Sequence, residues 1–180
     1  AERAAQISSS LLGFAQEADE DLTAELRKTI DEALGCLARD PAKDNITVTI
    51  DVPDVSVAMS PLKLHQALLN PSLNARKAMG RKQGKLTITA KIEGSPVQIQ
   101  VADTGPGIPP QIMDRLFEPF VTHRIETGDT IVGKGTGLGL HICRDLIRNA
   151  GGTICVTSVP SQGATFHITL PKAEKLVEMT

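Results

Sequence analysis

The amino-acid sequence predicts an α+β fold in which helices cover a mixed, mostly antiparallel sheet. Two hairpins are predicted from the alternation of apolar and polar residues. Their strands are 86–92 with 97–101, and 153–158 with 165–170. Consecutive hairpin strands favour such a sheet over a doubly wound parallel one, which needs a helix between strands. The 180 residues are enough for one domain with a sizeable core and a short appendage.

The first quarter of the chain predicts two helices followed by two strands. Residues 4–18 and 22–38 each carry apolar residues at helical spacing. The second helix ends before Pro41, because proline disfavours a helical residue ahead of it. Alternation over 45–52 predicts a half-buried strand, and 55–59 predicts a shorter one.

The rest of the chain adds three helices to the hairpins. A serine followed by a proline begins the helix predicted over 61–79, since these residues suit the N-cap and the first helical position. A short helix is predicted over 109–117. Residues 118–135 lack periodicity and are rich in threonine and glycine, so we expect a mobile loop. The helix predicted over 138–150 ends at Gly151, a typical C-terminal signal.

Composition excludes several classes of function. The net charge of −2 and the absence of Tyr and Trp argue against a nucleic-acid partner. No segment is long and apolar enough to cross a bilayer, and the first residues resemble the interior of a longer protein more than a signal peptide. The three cysteines have no metal-ligand spacing, so we expect buried thiols in a reducing, cytoplasmic setting. They are Cys36, Cys143 and Cys155.

Two glycine-rich segments carry the strongest signal for function. They read Asp103-Thr104-Gly105-Pro106-Gly107 and Gly133-Lys134-Gly135-Thr136-Gly137-Leu138-Gly139-Leu140. The second segment opens a helix, where glycines let unpaired backbone N–H groups come close to an anion. The first places one carboxylate at the end of an apolar strand. We therefore expect a nucleotide, with its base at Asp103 and its phosphates at 135–139.

The helix predicted over 61–79 carries a candidate metal site. Asn70 and Asn74 are four residues apart and share a helical face, and Lys77 lies on the same side. Two amide oxygens are enough to hold a hydrated Mg²⁺ when phosphates supply the charge. Taken alone, these residues fit an ordinary exposed helix face better than a metal site, but the glycine-rich segments beside them favour the metal site.

Together these segments resemble the ATP-binding catalytic domain of a sensor histidine protein kinase of the two-component systems. Its superfamily includes gyrase, the heat-shock chaperone ATPases and the mismatch-repair ATPases. The sequence motifs of that family, called boxes, occur here in the same order. The N box resembles 70–78, the G1 box 103–107, the F box Phe117-Glu118-Pro119-Phe120 and the G2 box 135–140. The resemblance covers roughly residues 46–172. It implies a Bergerat-type fold, a two-layer α/β sandwich with helices on one face of the sheet.

The resemblance also implies roles for individual residues. Asp103 would accept a hydrogen bond from the adenine amino group, and Asn74 would be the main Mg²⁺ ligand, assisted by Asn70. Ala164 stands where related ATPases often carry a threonine near the adenine, and Thr165 is included because it would compensate for that difference. The residues expected to bind ATP are Asn74, Lys77, Asp103, Gly105, Gly107, Ile108, Gly135, Thr136, Gly137, Leu138, Gly139 and Thr165.

Three further expectations concern the lid and the N box. Residues 118–134 would form a lid over ATP, with Phe117 and Phe120 as anchors at its start; ordinary core packing of the two rings is the alternative and is compatible with that role. Asn70 stands where hydrolysing relatives carry a water-activating Glu, and an amide is no general base, so we expect slow ATP turnover. Pro71 should kink its helix, because an internal proline removes a hydrogen bond.

The expected reaction is transfer of the γ-phosphoryl group of ATP to a histidine, and then to the aspartate of a response regulator. No histidine here sits in the setting of a phosphoacceptor; the four are His65, His123, His141 and His167. Residues 1–19 resemble the end of a dimerisation helix and 20–180 the catalytic domain, so the acceptor would lie upstream in a homodimeric, sometimes membrane-anchored protein. The alternative is an ATP-dependent module that sequesters a protein partner, such as an anti-sigma serine kinase.

Overall fold

The computed structural model describes residues 22–37, 45–80, 83–121, 125–127, 130–132 and 136–174. The helix predicted over 4–18 and His123 therefore lie outside the described residues. In chain order the elements are β1 (Ala24–Glu25), α1 (Leu26–Leu37), β2 (Ile46–Asp51), β3 (Ser56–Val57), α2 (Pro61–Met79), β4 (Gly84–Ile92), β5 (Pro96–Asp103), α3 (Pro110–Met113), β6 (Ile125–Thr127), β7 (Thr130–Val132), α4 (Gly139–Asn149), β8 (Thr153–Ser158) and β9 (Ala164–Pro171).

The main sheet has five strands in the order β2-β4-β5-β9-β8. Both predicted hairpins are present, β4 with β5 and β8 with β9, and β5 pairs antiparallel with β9 between them. Only β2 and β4 pair in parallel among these strands, and the connection between them contains α2, as a parallel crossover requires. The predicted mixed, mostly antiparallel sheet is confirmed.

The helices cover one face of this sheet and form the core with it. α2 packs against both α1 and α4, and α2 and α4 also contact the strands. Along β9 the apolar residues Phe166, Ile168 and Leu170 are buried, whereas the alternate residues are only half-buried. The other face of the sheet is rich in threonine. This two-layer arrangement positions the ends of β5, α2 and α4 beside one another.

The second predicted helix begins later than expected. Residues Ala24–Glu25 form a short antiparallel pair with Ser56–Val57, and α1 starts only at Leu26. Leu22, which the periodicity places on the apolar face of the helix, is 71% exposed. The strand predicted over 45–52 is also more exposed than expected, because β2 lies at the edge of the sheet.

The region expected to be a structureless loop contains a small hairpin. Ile125–Thr127 pairs antiparallel with Thr130–Val132, so the prediction of no regular structure over 118–135 is wrong for these residues. Each strand has only three residues, too few to show the alternation that marks the other hairpins. The helix predicted over 109–117 is reduced to Pro110–Met113.

The thiols differ in exposure. Cys143 is buried beneath α2, with its Sγ donating to the Ala67 carbonyl oxygen at 3.1 Å, and burial raises its pKa to about 12. Cys155 is exposed on β8, so the prediction of a buried thiol is wrong there. Its position alternates with Ile154 and Val156, which pack against the core, and so it lies on the outer face. The side chain of Cys36 is outside the described part.

Candidate functional site

A pocket of about 310 Å³ opens between α2, the end of β5 and the start of α4. This volume lies within the range of small-molecule sites, as does the mostly apolar wall. Most of the residues predicted to bind a nucleotide or metal line it. These are Asn70, Asn74, Lys77, Asp103, Gly107, Ile108, Thr136, Gly137 and Gly139.

The remaining predicted site residues lie elsewhere. Gly105 is buried behind Asp103, and Leu138 is the N-cap of α4; neither lines the pocket. Thr165 lies on the opposite face of β9 from Ala164 and Phe166, which do line it, because successive strand residues point to opposite faces. The structure therefore does not bring Thr165 to the pocket. Gly135 is outside the described residues.

Asp103 ends β5 with its side chain half-buried in the pocket wall. Burial raises the pKa of this carboxyl, and hydrogen bonds from the backbone N–H groups of Gly105 and Ala164 act in the opposite direction. The Gly105 nitrogen lies 2.8 Å from Oδ1. A poorly hydrated acceptor fixed by two backbone donors is suited to bind a hydrogen-bond donor of a ligand.

The polar face of α2 forms a second wall. The helix runs from Pro61 to Met79 and continues through the buried Pro71, and Asn70, Asn74 and Lys77 all line the pocket. Asn70 Nδ2 donates to the Gly139 carbonyl oxygen at 2.9 Å. This bond ties α2 to the start of α4 and leaves the Oδ1 of Asn70 as its remaining acceptor.

The start of α4 supplies the third wall. Gly137 has φ +70, and a Cβ there would lie 2.6 Å from the backbone carbon of Phe120. The Phe120 N–H donates to the Gly137 carbonyl oxygen at 3.0 Å, so the two segments are in direct backbone contact. The first N–H groups of a helix have no partners within it, and the end of α4 facing the pocket is therefore suited to an anion.

The two phenylalanines of the F box differ. Phe117 packs edge-on against Phe166, with ring centroids 6.4 Å apart, as the prediction of core packing requires. Phe120 is 74% exposed, so the interpretation of core packing is wrong for its ring. Its backbone has φ +65 and is held against Gly137, and its ring faces solvent.

His141 on α4 connects the F box to this helix. Its Nδ1 lies 3.2 Å from the Phe117 carbonyl oxygen and 3.1 Å from Arg144 Nη2, and its Nε2 lies 3.4 Å from Asp145 Oδ2. His141 does not line the pocket, and neither do His65 on α2 and His167, which contacts Thr157 on β8. These placements agree with the structural roles expected from the sequence.

Sequence reasoning missed the apolar part of the wall. Ile108 and position 164 are the exceptions, since the family resemblance places both near the base and both line the pocket. The other apolar residues that line the pocket are Leu73, Ala75, Ala78, Pro109, Ile112, Leu116, Val121, Leu140 and Phe166. Their spacing is that of ordinary core residues, so no signal in the sequence separates a pocket wall from the core.

A comparison with models of protein families shows the family of the chain. The family described as "Histidine kinase-, DNA gyrase B-, and HSP90-like ATPase" matches residues 59–174. The chain belongs to this family. The match includes all three walls of the pocket. Among the described residues, no helix is long and apolar enough to span a membrane.

Similar proteins within this ATPase family are sensor histidine kinases, which are enzymes. Sensor histidine kinase ZraS of Escherichia coli (strain K12) is 33% identical over 95% of the chain, which spans 36% of that relative. The catalytic domain of histidine kinase ThkA aligns with 84% of this chain and 97% of its own, at 30% identity and TM-score 0.71. Another similar structure is that of ThkA in complex with response regulator TrrA. It is 26% identical with a TM-score of 0.69, over 96% of this chain and 48% of that one.

Full-length ShkA in complex with AMPPNP is a third similar structure. It is 31% identical with a TM-score of 0.70, over 91% of this chain and 34% of that one. The folds of these catalytic domains agree with the two-layer arrangement of helices and sheet, so the predicted fold class is confirmed.

Proposed function

We propose that the chain is the catalytic domain of a sensor histidine kinase, which binds Mg-ATP and donates the γ-phosphoryl group to a histidine of a separate phosphoacceptor domain. The observation that carries the proposal is the convergence of three segments on one pocket. A half-buried carboxyl, a helix face with two amides and a lysine, and a glycine-rich helix start all line it. A nucleotide has matching groups in its base, its metal and its phosphates.

One end of the pocket is suited to adenine, and we call it the base end (Asp103, Gly107, Ile108 and Ala164). Asp103 would accept a hydrogen bond from the exocyclic amino group, and Ile108 would cover the ring. Guanine carries a carbonyl oxygen at the corresponding position, so an acceptor would face an acceptor. A buried polar group left without its partner is the strongest source of discrimination that such a site has.

The other end is suited to a metal-bound triphosphate, and we call it the phosphate end (Asn70, Asn74, Lys77, Gly137 and Gly139). The donor set fits Mg²⁺, since amide oxygens of Asn74 and Asn70 can complete a shell made mostly of water and phosphate oxygens. When bound, Mg²⁺ would neutralise charge that develops on the phosphates during transfer. Lys77 and the N–H groups at the start of α4 would orient the phosphates.

The phosphate end favours transfer over hydrolysis. Asp103 is the single carboxylate among the described residues that line the pocket, and we place it at the base. Asn70 is bonded to the Gly139 carbonyl and cannot remove a proton from water. We therefore expect the isolated chain to release phosphate from ATP very slowly.

The partners follow from the same proposal. The acceptor histidine would be in a dimerisation domain preceding residues 20–180, with 1–19 as the end of its helix, and the whole protein would be a homodimer. A response regulator would receive the phosphoryl group, by analogy with the solved complex of ThkA and response regulator TrrA. We place the domain in the cytoplasm, where ATP is available. The similar proteins are named as histidine kinases, which favours this function over the anti-sigma alternative.

Two experiments test the proposal. Calorimetric titration with ATP and Mg²⁺ should show binding, and Asp103→Asn should weaken it by roughly 1.5–3 kcal/mol, the value of a hydrogen bond to a charged group. Asp51→Asn, at an exposed site on β2, is the matched control and should bind like the wild type. Radiolabelled ATP should then label a supplied acceptor domain at histidine. Labelling of a serine on a partner, or unchanged affinity of the Asp103 variant, would contradict the proposal.

A further inference from the structure

We propose that Ser158, which lies outside the pocket, is a positioning residue for base recognition. Its hydroxyl joins the G1 loop (104–108, after β5) to the β8–β9 turn (159–163). The inference rests on the proposed function, because it explains how the base end is held in shape.

The hydroxyl of Ser158 acts as acceptor and donor at once. The Ile108 N–H donates to Ser158 Oγ at 2.8 Å, and Oγ donates to the Gly163 carbonyl oxygen at 2.8 Å. A serine hydroxyl has one proton and two lone pairs, so both bonds form together. One side chain thus fixes a residue of the base end that is 50 positions away in the chain.

A second bond holds the same two segments. The Ser161 N–H donates to the Pro106 carbonyl oxygen at 2.7 Å, and Gln162 N–H to Val159 O at 2.9 Å closes the turn. Ser161 has φ +66, a left-handed conformation that is uncommon for residues other than glycine. Such strain persists only where surrounding contacts determine the backbone, and here it directs an N–H group at the G1 loop.

Two glycines allow the segments to approach this closely. A Cβ on Gly107, which has φ +77, would lie 2.6 Å from the Val159 carbonyl oxygen and 3.0 Å from Ser158 Oγ. A Cβ on Gly163, at φ +89, would collide with the carbonyl oxygen of Asp103. The turn therefore rests directly on the backbone that carries Asp103 and Ile108. The N–H of Ala164, the next residue, reaches the Asp103 carboxyl.

The role of Ser158 is separable from direct binding. Its side chain does not line the pocket, so its loss removes no contact with the nucleotide. It leaves the Ile108 N–H and the Gly163 carbonyl without partners and frees the G1 loop to move. The loss of affinity should therefore be the same for every ligand that carries adenine, whatever the number of phosphates.

The experiment compares adenosine, ADP and Mg-ATP by calorimetry on variants of the chain. Ser158→Ala should weaken the binding of all three ligands by the same factor, about tenfold, and should reduce the preference for ATP over GTP. Ser158→Thr keeps the hydroxyl and should restore both quantities. Thr157→Ala is the matched control: it removes the neighbouring hydroxyl, which bonds to His167 on the outer face, and should leave affinity unchanged.

The outcomes separate this inference from the function. Wild-type affinity in Ser158→Ala, or a loss confined to ATP, overturns the role of Ser158 while the proposed function stands. A wild-type chain that binds none of the three ligands overturns the proposed function and this inference with it. Where Ser158→Ala does not fold, Ser158→Cys replaces it: its weakly bonding thiol should give the same uniform loss, and wild-type affinity there overturns the role.

Discussion

The two ends of the pocket are built on different principles. At the base end, hydrogen bonds between neighbouring segments fix the backbone before any ligand arrives: Gly105 and Ala164 donate to Asp103, and Ser158 holds Ile108. The phosphate end also has bonds between segments, from Asn70 to the Gly139 carbonyl and from the Phe120 N–H to the Gly137 carbonyl. Its Lys77 is exposed, however, and the helix N–H groups that it offers to a ligand have no intrahelical partners. At the base end the residue proposed to recognise the ligand is itself fixed by hydrogen bonds, whereas the phosphate end relies more on an exposed lysine and on backbone N–H groups at a helix start.

This difference follows from the chemistry of each part of the ligand. Discrimination between bases depends on single hydrogen bonds, whose value falls when the protein groups can move. A metal-bound triphosphate carries much charge and is bound by many donors, so its binding tolerates looser geometry. A substitution at the base end should therefore weaken the binding of every ligand that carries adenine. A substitution at the phosphate end should weaken only the binding of ligands that carry phosphates.

The largest effects are expected from alanine at the glycine of each end. Gly107→Ala forces a left-handed residue against Val159, and Gly137→Ala does the same against Phe120. The left-handed conformation costs about 1–2 kcal/mol of folding stability in either variant. The close contact in addition displaces the backbone that carries the binding groups, and a misplacement of that kind can cost on the order of 100-fold, so we expect affinity losses of about that size. Gly107→Ala should weaken the binding of adenosine and of ATP to the same degree, whereas Gly137→Ala should weaken mainly the binding of ATP. Calorimetry measures both affinities.

Gly94 supplies the matched control for both variants. It also has positive φ, at +79, but a Cβ there meets nothing within 4 Å. Gly94→Ala should therefore lower the free energy of unfolding while nucleotide affinity stays unchanged. Equal losses of adenosine affinity in Gly107→Ala and Gly137→Ala would contradict the division of the pocket into two ends.

A smaller effect is expected from the two asparagines. Asn74→Ala should reduce ATP affinity about tenfold when Mg²⁺ is present and little when it is chelated, because the side chain is proposed to act through the metal. Asn70→Ala removes the bond to the Gly139 carbonyl as well as the assisting metal ligand, so it should weaken ATP binding without Mg²⁺ too, and by a larger factor when Mg²⁺ is present. Titrations of each variant with Mg²⁺ or EDTA measure this. If ATP affinity depended on Mg²⁺ in the same way in both variants, the two asparagines would have the same role and the prediction would be wrong.

The sequence predicts the polar residues that line the site better than the residues that hold those in place. Asp103, Asn74 and Gly137 stand in motifs whose spacing reflects local chemistry, so they are visible without a structure. Ser158 is not recognisable as part of the base end, because its contacts join segments far apart in the chain, and Ala164 is placed near the base only by the family resemblance. No periodicity records such long-range bonds.

The same limit explains the errors in the fold. Residues 22–25 continue the periodicity of α1, yet Ala24–Glu25 pairs with a strand that the chain reaches only at Ser56. Phe120 looks like a core residue by type, but its close backbone contact with Gly137 leaves its ring exposed. In contrast, both long hairpins and α2 follow from local signals, and the sequence predicts them within a few residues.

The smallest effect concerns the pH dependence of Asp103. Burial raises its pKa above the ordinary 3.8, so between these two values the folded chain holds a proton that the unfolded chain releases. Stability without ligand should then rise as pH falls through that window, relative to Asp103→Asn. Adenosine affinity should fall over the same window, because the acceptor becomes protonated. Thermal melts and titrations against pH measure the two slopes, and slopes of equal sign would contradict the assignment.

A crystal structure of the chain with AMPPNP and Mg²⁺ tests the division of the pocket most directly. We expect the adenine amino group on the Asp103 carboxylate, the metal beside Asn74, and the phosphates at the start of α4. A nucleotide bound outside this pocket, or one in the pocket with its base beside Asn74 and its phosphates beside Asp103, would contradict it.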